Sequence, residues 1–221
     1  VWGPSNYDAD TSYPVLVVYH GWYTTGLGFQ SWFDMVPVVG NAGLVVYPDS
    51  NGPQWDTSGG SDLAFFDEMV KMLADTYCID PSRVLAFGFS NGGIFVNHLG
   101  CRRAGYVKAI AVGEASKGGD GLGCGRLPVL ITHRTADLDE KIAWGYDNRD
   151  RWRALNGCTE ATDVSNADLN CVTYRGCRTP GELAFCEDTY VDADFLAHPE
   201  WNHTVRPEYQ QLTWDWLIGR R

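Results

Sequence analysis

Residues 15–19, VLVVY, form a short unbroken apolar run that stops at His20-Gly21. A run without polar alternation predicts a strand covered on both faces, as parallel sheets require. A Gly-rich polar stretch follows, then an amphipathic segment over 29–39 that predicts a helix, then a second apolar run over 44–47 closed by Pro48. Leu63, Phe66, Val70 and Leu73 recur at helical spacing within 61–77, with Ser61 or Asp62 available as N-cap. Further strands are predicted over 84–89, 109–112 and 128–132, and further helices over 91–99, 144–155 and 207–218. This cadence predicts an α/β fold: a mostly parallel central sheet with helices on both faces.

The stretch 157–186 breaks the pattern. It holds four of the seven cysteines with weak periodicity, so it is expected to be a disulfide-pinned excursion near the C-terminus. Only about fifteen residues separate the strands at 109–112 and 128–132, which leaves no space there for a large lid domain. At 221 residues the chain suits one core and a single domain over 1–221.

Charge and cysteine usage narrow the function. A formal net charge of −11 repels phosphate backbones and anionic lipid, so neither nucleic acid nor membrane is an expected partner. No run of eighteen uncharged apolar residues is present. The cysteines show no C-x-x-C pair and no Cys/His spacing of the zinc type, so no metal is expected. A disulfide framework fits better and places the protein in an oxidising compartment. The start at Val1 without a leader is what a mature secreted form presents, and secretion is expected. An odd cysteine count leaves one thiol unpaired within the chain. Oligomeric state is not specified by any of these features.

Gly88-Phe89-Ser90-Asn91-Gly92 matches the G-x-S-x-G nucleophile elbow and lies between a predicted strand and a predicted helix, where that turn must sit. A serine hydroxyl attacks only when a base takes its proton. Of five histidines, His20 and His133 fall at strand ends and His98 inside a helix, whereas His198 and His203 precede the final helix. The order Ser, acid, His favours this last pair, and His203 is preferred because it stands nearer the helix. The acid should follow a strand between the two; Asp137 fits, with Asp139 and Glu140 as runners-up. The oxyanion donors expected are the backbone N–H of Asn91, after the nucleophile, and of Trp22, in the loop after the first strand.

With these residues placed, the chain resembles the secreted esterase family that groups feruloyl and acetylxylan esterases with polyhydroxybutyrate depolymerases. The resemblance is carried by VLVVYHGW (15–22), WDTSGGSDLAFFDEMV (55–70), YCIDPSRVLAFGFSNGG (77–93), LGC (99–101), the segment 124–137, RDRWRALNGC (149–158) and the His203 loop. It implies the α/β-hydrolase fold, a serine carboxylic-ester hydrolase without cofactor, and pairing of Cys101 with Cys124. It also implies bridges among Cys158, Cys171, Cys177 and Cys186, with Cys78 left over. The chain departs from the family pattern at His133-Arg134 and at Asn202-His203-Thr204-Val205, both beside expected catalytic positions.

The substrate implied first is a feruloyl or acetylxylan-type ester of plant cell-wall polysaccharide, with an aliphatic polyester as the alternative. Tyr23, Trp55 and Trp201, with the side chain of Trp22, are candidate walls for an aromatic acyl group. A protein of another class, binding a polysaccharide or polymer through exposed aromatics without catalysis, is also compatible with the fold. Asn202-His203-Thr204 forms a glycosylation sequon, and a glycan there would obstruct the site, so Asn202 is expected to be unmodified.

Overall fold

A computed structural model describes residues 1–119, 123–191 and 193–220. In chain order the elements are β1 (Tyr13–Tyr19), α1 (Gly26–Gln30), α2 (Val36–Val39), β2 (Leu44–Val46), α3 (Ser61–Thr76), β3 (Ile79–Phe89), α4 (Asn91–Arg102), β4 (Val107–Gly113) and β5 (Pro128–Arg134). They continue with α5 (Ile142–Asn156), β6 (Thr162–Asn166), β7 (Cys171–Tyr174), β8 (Glu182–Asp188), α6 (Ala193–Ala197) and α7 (Tyr209–Ile218). One eight-stranded sheet runs in the order β2-β1-β3-β4-β5-β8-β7-β6. Its first six strands pair in parallel, and β7 and β6 close it antiparallel.

Alternation along each strand feeds two cores. Val15, Val17 and Tyr19 of β1 point to the face covered by α3, α4 and α5, where Phe66, Leu73, Phe95 and Trp152 pack. Leu16 and Val18 point to the opposite face, under α1, α2 and α7, with Phe29, Trp214 and Leu217. Period-two geometry sends successive side chains to opposite sides, so a strand buried on both sides must be apolar throughout. That explains why β1 reads as a run rather than as an alternation.

Two regions depart from the sequence expectation. The helix expected over 29–39 is instead two short pieces, α1 and α2. Pro37 cannot sit inside a helix without removing a hydrogen bond, and here it occupies the first turn of α2. The Tyr47 hydroxyl holds the break, accepting from Met35 N–H and donating to the Phe33 carbonyl, each at 2.8 Å. The second is within the 157–186 excursion, where weak periodicity hides regular strands. It contains the β6–β7 hairpin and runs into β8, which lies parallel to β5 and extends the sheet. It is nonetheless pinned by disulfides. Cys158 pairs with Cys177, Cys171 with Cys186 across the β7–β8 ladder, and Cys101 with Cys124; Cys78 is the free thiol.

Candidate active site

The elbow begins with steric necessity. A Cβ on Gly88 would stand 2.2 Å from the Gly92 carbonyl oxygen, and one on Gly92 would stand 2.4 Å from the carbonyl oxygens of Tyr19 and His20. Strand β3, helix α4 and strand β1 therefore meet backbone to backbone. Ser90 turns the corner at φ 54°, ψ −126°, a conformation that costs a non-glycine residue about 1–3 kcal/mol. Its N–H donates to the Gly113 carbonyl at the end of β4, which holds the strained turn against the sheet.

Three of the residues singled out by sequence are brought together. His203 Nε2 lies 2.7 Å from Ser90 Oγ, and His203 Nδ1 lies 2.8 Å from Asp137 Oδ2. With the proton on Nδ1, the ring donates to the carboxylate and accepts from the serine hydroxyl. Asp137, 4% exposed, follows β5 and accepts the N–H groups of Asp139 and Glu140 on Oδ1, each at 2.9 Å. Both of its oxygens are thus committed, and the carboxylate cannot rotate away. The Phe89 ring packs 4.9 Å from the imidazole.

The other histidines are engaged elsewhere. His98 Nε2 meets the Gly59 carbonyl, His133 Nε2 meets the Glu140 carbonyl, and His198 stacks on Trp201 with centroids 4.0 Å apart. His20 has a more informative setting. Its ring packs against Trp55, Nδ1 lies 2.7 Å from the Gly21 carbonyl oxygen, and Nε2 accepts from Ser50 N–H at 3.3 Å. Accepting at Nε2 places the ring proton on Nδ1, which then donates to the Gly21 carbonyl. Burial lowers the His20 pKa, against the opposing effects of that carbonyl and of Asp49, and favours the neutral ring. In a trans peptide the carbonyl and the next N–H point in opposite directions. Fixing Gly21 C=O therefore fixes the direction of Trp22 N–H. A Cβ on Gly21 would lie 3.3 Å from Ser90 Cβ, so this peptide passes directly beside the serine. Asn91 is the first residue of α4, where a backbone N–H has no partner inside the helix. Its side chain accepts Trp55 N–H at 2.7 Å, tying the loop after β2 to the elbow.

A cleft of about 570 Å³ opens over Ser90, bordered by Trp22, Trp32, Phe89, Asp139, Glu140 and His203. The aromatic residues expected there are distributed unevenly. Trp22 lines the cleft, and exposed Tyr23 stacks on it at 5.1 Å. Trp201 is exposed but does not border this cleft. Trp55 is corrected outright: it is 1% exposed, its indole donates to the His20 carbonyl at 3.0 Å, and it packs on Tyr19 and Phe95. It packs in the core and borders the neighbouring groove rather than the cleft over Ser90. Trp32 was missed because its segment reads as an ordinary helix; it meets Phe89 edge-on at 5.1 Å and faces the cleft.

The departures flanking the site prove internal. His133 and Arg134 are fully buried. Arg134 donates to the Tyr190 carbonyl, lies over the Phe195 ring at 4.1 Å and approaches Asp188 at 4.0 Å. Arg206, three residues after His203, makes a two-pronged pair with the same Asp188 at 2.9 and 3.0 Å. The two arginines tie the His203 loop to the ends of β5 and β8. Asn202 is buried, its amide donating to the Pro199 and Phe195 carbonyls, so its nitrogen is turned away from solvent.

Glu114, His133 and Asp137 bring potential ligand atoms within 4.8 Å of one another. Their hydrogen bonds do not fit an ion site. Glu114 accepts Arg134 N–H at 2.7 Å, His133 Nε2 is held at 2.6 Å by the Glu140 carbonyl, and both Asp137 oxygens are committed. The remaining nitrogen, His133 Nδ1, faces Gly145 so closely that a Cβ there would lie 2.5 Å away. Burial, reinforced by Asp137 and Asp188, raises the Glu114 pKa well above the usual carboxylate value.

The chain is similar to proteins named as esterases. No protein-family model matches the chain. It is 30% identical over 195 residues to feruloyl esterase D of Neurospora crassa, covering 79% of this chain and 66% of that one. It is 28% identical over 169 residues to probable feruloyl esterase C of Aspergillus flavus, covering 72% and 61%. The chain thus spans about two thirds or less of the length of these curated relatives. Among solved structures, an acetyl xylan esterase from Aspergillus awamori superposes with TM-score 0.71 at 17% identity, over 92% of this chain and 93% of that one. A Bacillus cereus carboxylesterase gives 0.65 at 16%, over 98% and 92%. At such identities these two show the shared fold, α/β-hydrolase.

Proposed function

We propose that this chain, which belongs to the α/β-hydrolase esterase family of the feruloyl esterases it matches, hydrolyses carboxylic esters through an acyl-enzyme on Ser90. The observation that carries the reading is the continuous hydrogen-bonded chain Ser90–His203–Asp137, at 2.7 and 2.8 Å. His203 takes the hydroxyl proton as Ser90 Oγ bonds to the ester carbon. The carbonyl oxygen gathers negative charge, which the N–H groups of Trp22 and Asn91 stabilise. The imidazolium then gives its proton to the departing alcohol as the ester C–O bond breaks. Water, deprotonated by the same ring, releases the acid and restores Ser90. Asp137 keeps the imidazole in the required tautomer and stabilises its cation. None of these steps calls for a metal or organic cofactor.

The acyl group proposed first is aromatic, of the feruloyl kind. The relatives' names favour it, and Trp22, Trp32 and Phe89 give the cleft an aromatic wall suited to a planar ring. The same chemistry accommodates acetyl esters of plant polysaccharide. Secretion is part of the proposal, supported by three disulfides, which persist in oxidising surroundings. The test is hydrolysis of methyl ferulate and p-nitrophenyl acetate by the wild type and by Ser90→Ala. The wild type should turn over both and the variant neither. Activity retained in Ser90→Ala would sink the mechanism, and an inert wild type would favour a polymer-binding protein.

A further inference from the structure

We infer that the N-terminal turn of α5 carries a sugar subsite, with Trp144 as its platform, that receives the alcohol side of the scissile ester. The inference rests on the esterase reading above and goes beyond it by assigning a second hollow. That hollow, about 500 Å³, is lined by Ser116, Lys117, Glu140, Trp144 and Asp147. Glu140 borders both it and the cleft over Ser90, so the two spaces adjoin.

Reaction geometry fixes which half of an ester points this way. The ring of His203 must hand a proton to the leaving oxygen, so that oxygen lies within hydrogen-bond reach of Nε2. The carbonyl oxygen points instead toward the backbone donors beside Trp22. Asp139 and Glu140, whose N–H groups clamp the Asp137 carboxylate bound to His203, border the cleft, and Glu140 continues into the Trp144 hollow. A leaving alcohol passing over them arrives at Trp144.

The lining chemistry selects a sugar. Trp144 is 42% exposed and offers a flat apolar face, which the C–H face of a furanose or pyranose ring can cover. Around it stand a hydroxyl, an ammonium and two carboxylates, a mixture of donors and acceptors suited to vicinal hydroxyls. Ser116 N–H donates to Glu140 Oε2 at 2.8 Å and holds that carboxylate at the junction. Lys117 and Asp147 approach only to 3.8 Å with both side chains more than half exposed. Such a pair contributes little, so sugar hydroxyls can replace its contact at small cost. A second polar groove of about 640 Å³, bordered by Asn51, Gln54 and Phe65, is the competing location.

The experiment compares kcat/KM for a feruloylated arabinofuranosyl xylotriose with that for methyl ferulate, in the wild type, Trp144→Ala, Trp144→Tyr and Phe65→Ala. The ratio of sugar ester to methyl ester should fall about tenfold in Trp144→Ala, with the loss in KM, and recover in Trp144→Tyr, which keeps a stacking face. Phe65→Ala should keep the wild-type ratio. An unchanged ratio in Trp144→Ala, or a fall in Phe65→Ala instead, overturns the subsite while leaving the esterase reading intact. A wild type that cleaves methyl ferulate but not the sugar ester does the same. A wild type that cleaves neither of these nor p-nitrophenyl acetate overturns both.

Discussion

At the scale of single residues, two substitutions separate chemistry from architecture. Asp137→Asn keeps an oxygen for the two backbone donors but presents an amide to His203, forcing the wrong ring tautomer. The expected loss in kcat is about 10³–10⁴-fold, read by steady-state kinetics on an aryl ester. His20 acts one step removed, by aiming the Gly21–Trp22 peptide. His20→Ala should lower kcat by roughly 10–100-fold with little change in KM, since removing an oxyanion donor outright costs 10²–10³. His20→Asn, which retains a donor near the Nδ1 position, should recover most of it. Equal loss in both variants would mean that the ring only packs against Trp55. Ser90, Asp137 and His203 were legible because a strained turn and a fixed chain order constrain residue types. Trp55 and Trp32 were not, because an indole in the core and an indole on a cleft have the same letter, and only tertiary packing decides between them.

At the scale of elements, the parallel strands were legible because burial on both faces leaves no polar position inside a run. β8 was not, since Glu182 and Asp188 frame a short apolar centre within a cysteine-rich stretch. Asp188, at the end of β8, is nearly inaccessible, accepts both prongs of Arg206 and also the Tyr190 N–H at 3.0 Å. Asp188→Ala removes the carboxylate that faces buried Arg134 and holds half-buried Arg206, and should cost about 3–5 kcal/mol in urea unfolding. It should also slow catalysis, because Arg206 anchors the loop that carries His203. Stability loss with full activity would show that the anchor does not position the base. The Cys171–Cys186 bridge spans 15 residues, and replacing both cysteines by alanine should remove roughly 3 kcal/mol by loop entropy.

For the whole molecule, the buried Glu114 makes stability depend on pH in an unusual direction. Its folded pKa lies above its ordinary value of 4.5, raised first by burial. The folded state therefore binds the proton more tightly than the unfolded one. The stability linked to that proton is present below pH 4.5 and lost as pH rises toward the folded value. Glu114→Gln can still accept the Arg134 N–H without that penalty. Its advantage over the wild type in urea midpoint should therefore grow as pH rises above the ordinary value of 4.5. The difference between the two proteins is the quantity to follow, because His20 and His133, whose pKa values burial lowers from 6.5, make the fold less stable as pH falls and pull in the opposite sense. The proposed ester hydrolysis depends on Ser90 being an activated nucleophile. Intact-mass measurement and peptide mapping after exposure to a fluorophosphonate test this most directly. A single adduct on the peptide containing Ser90, absent from Ser90→Ala and formed far more slowly in His203→Ala, is the predicted result; no adduct, or one at another residue, would contradict it.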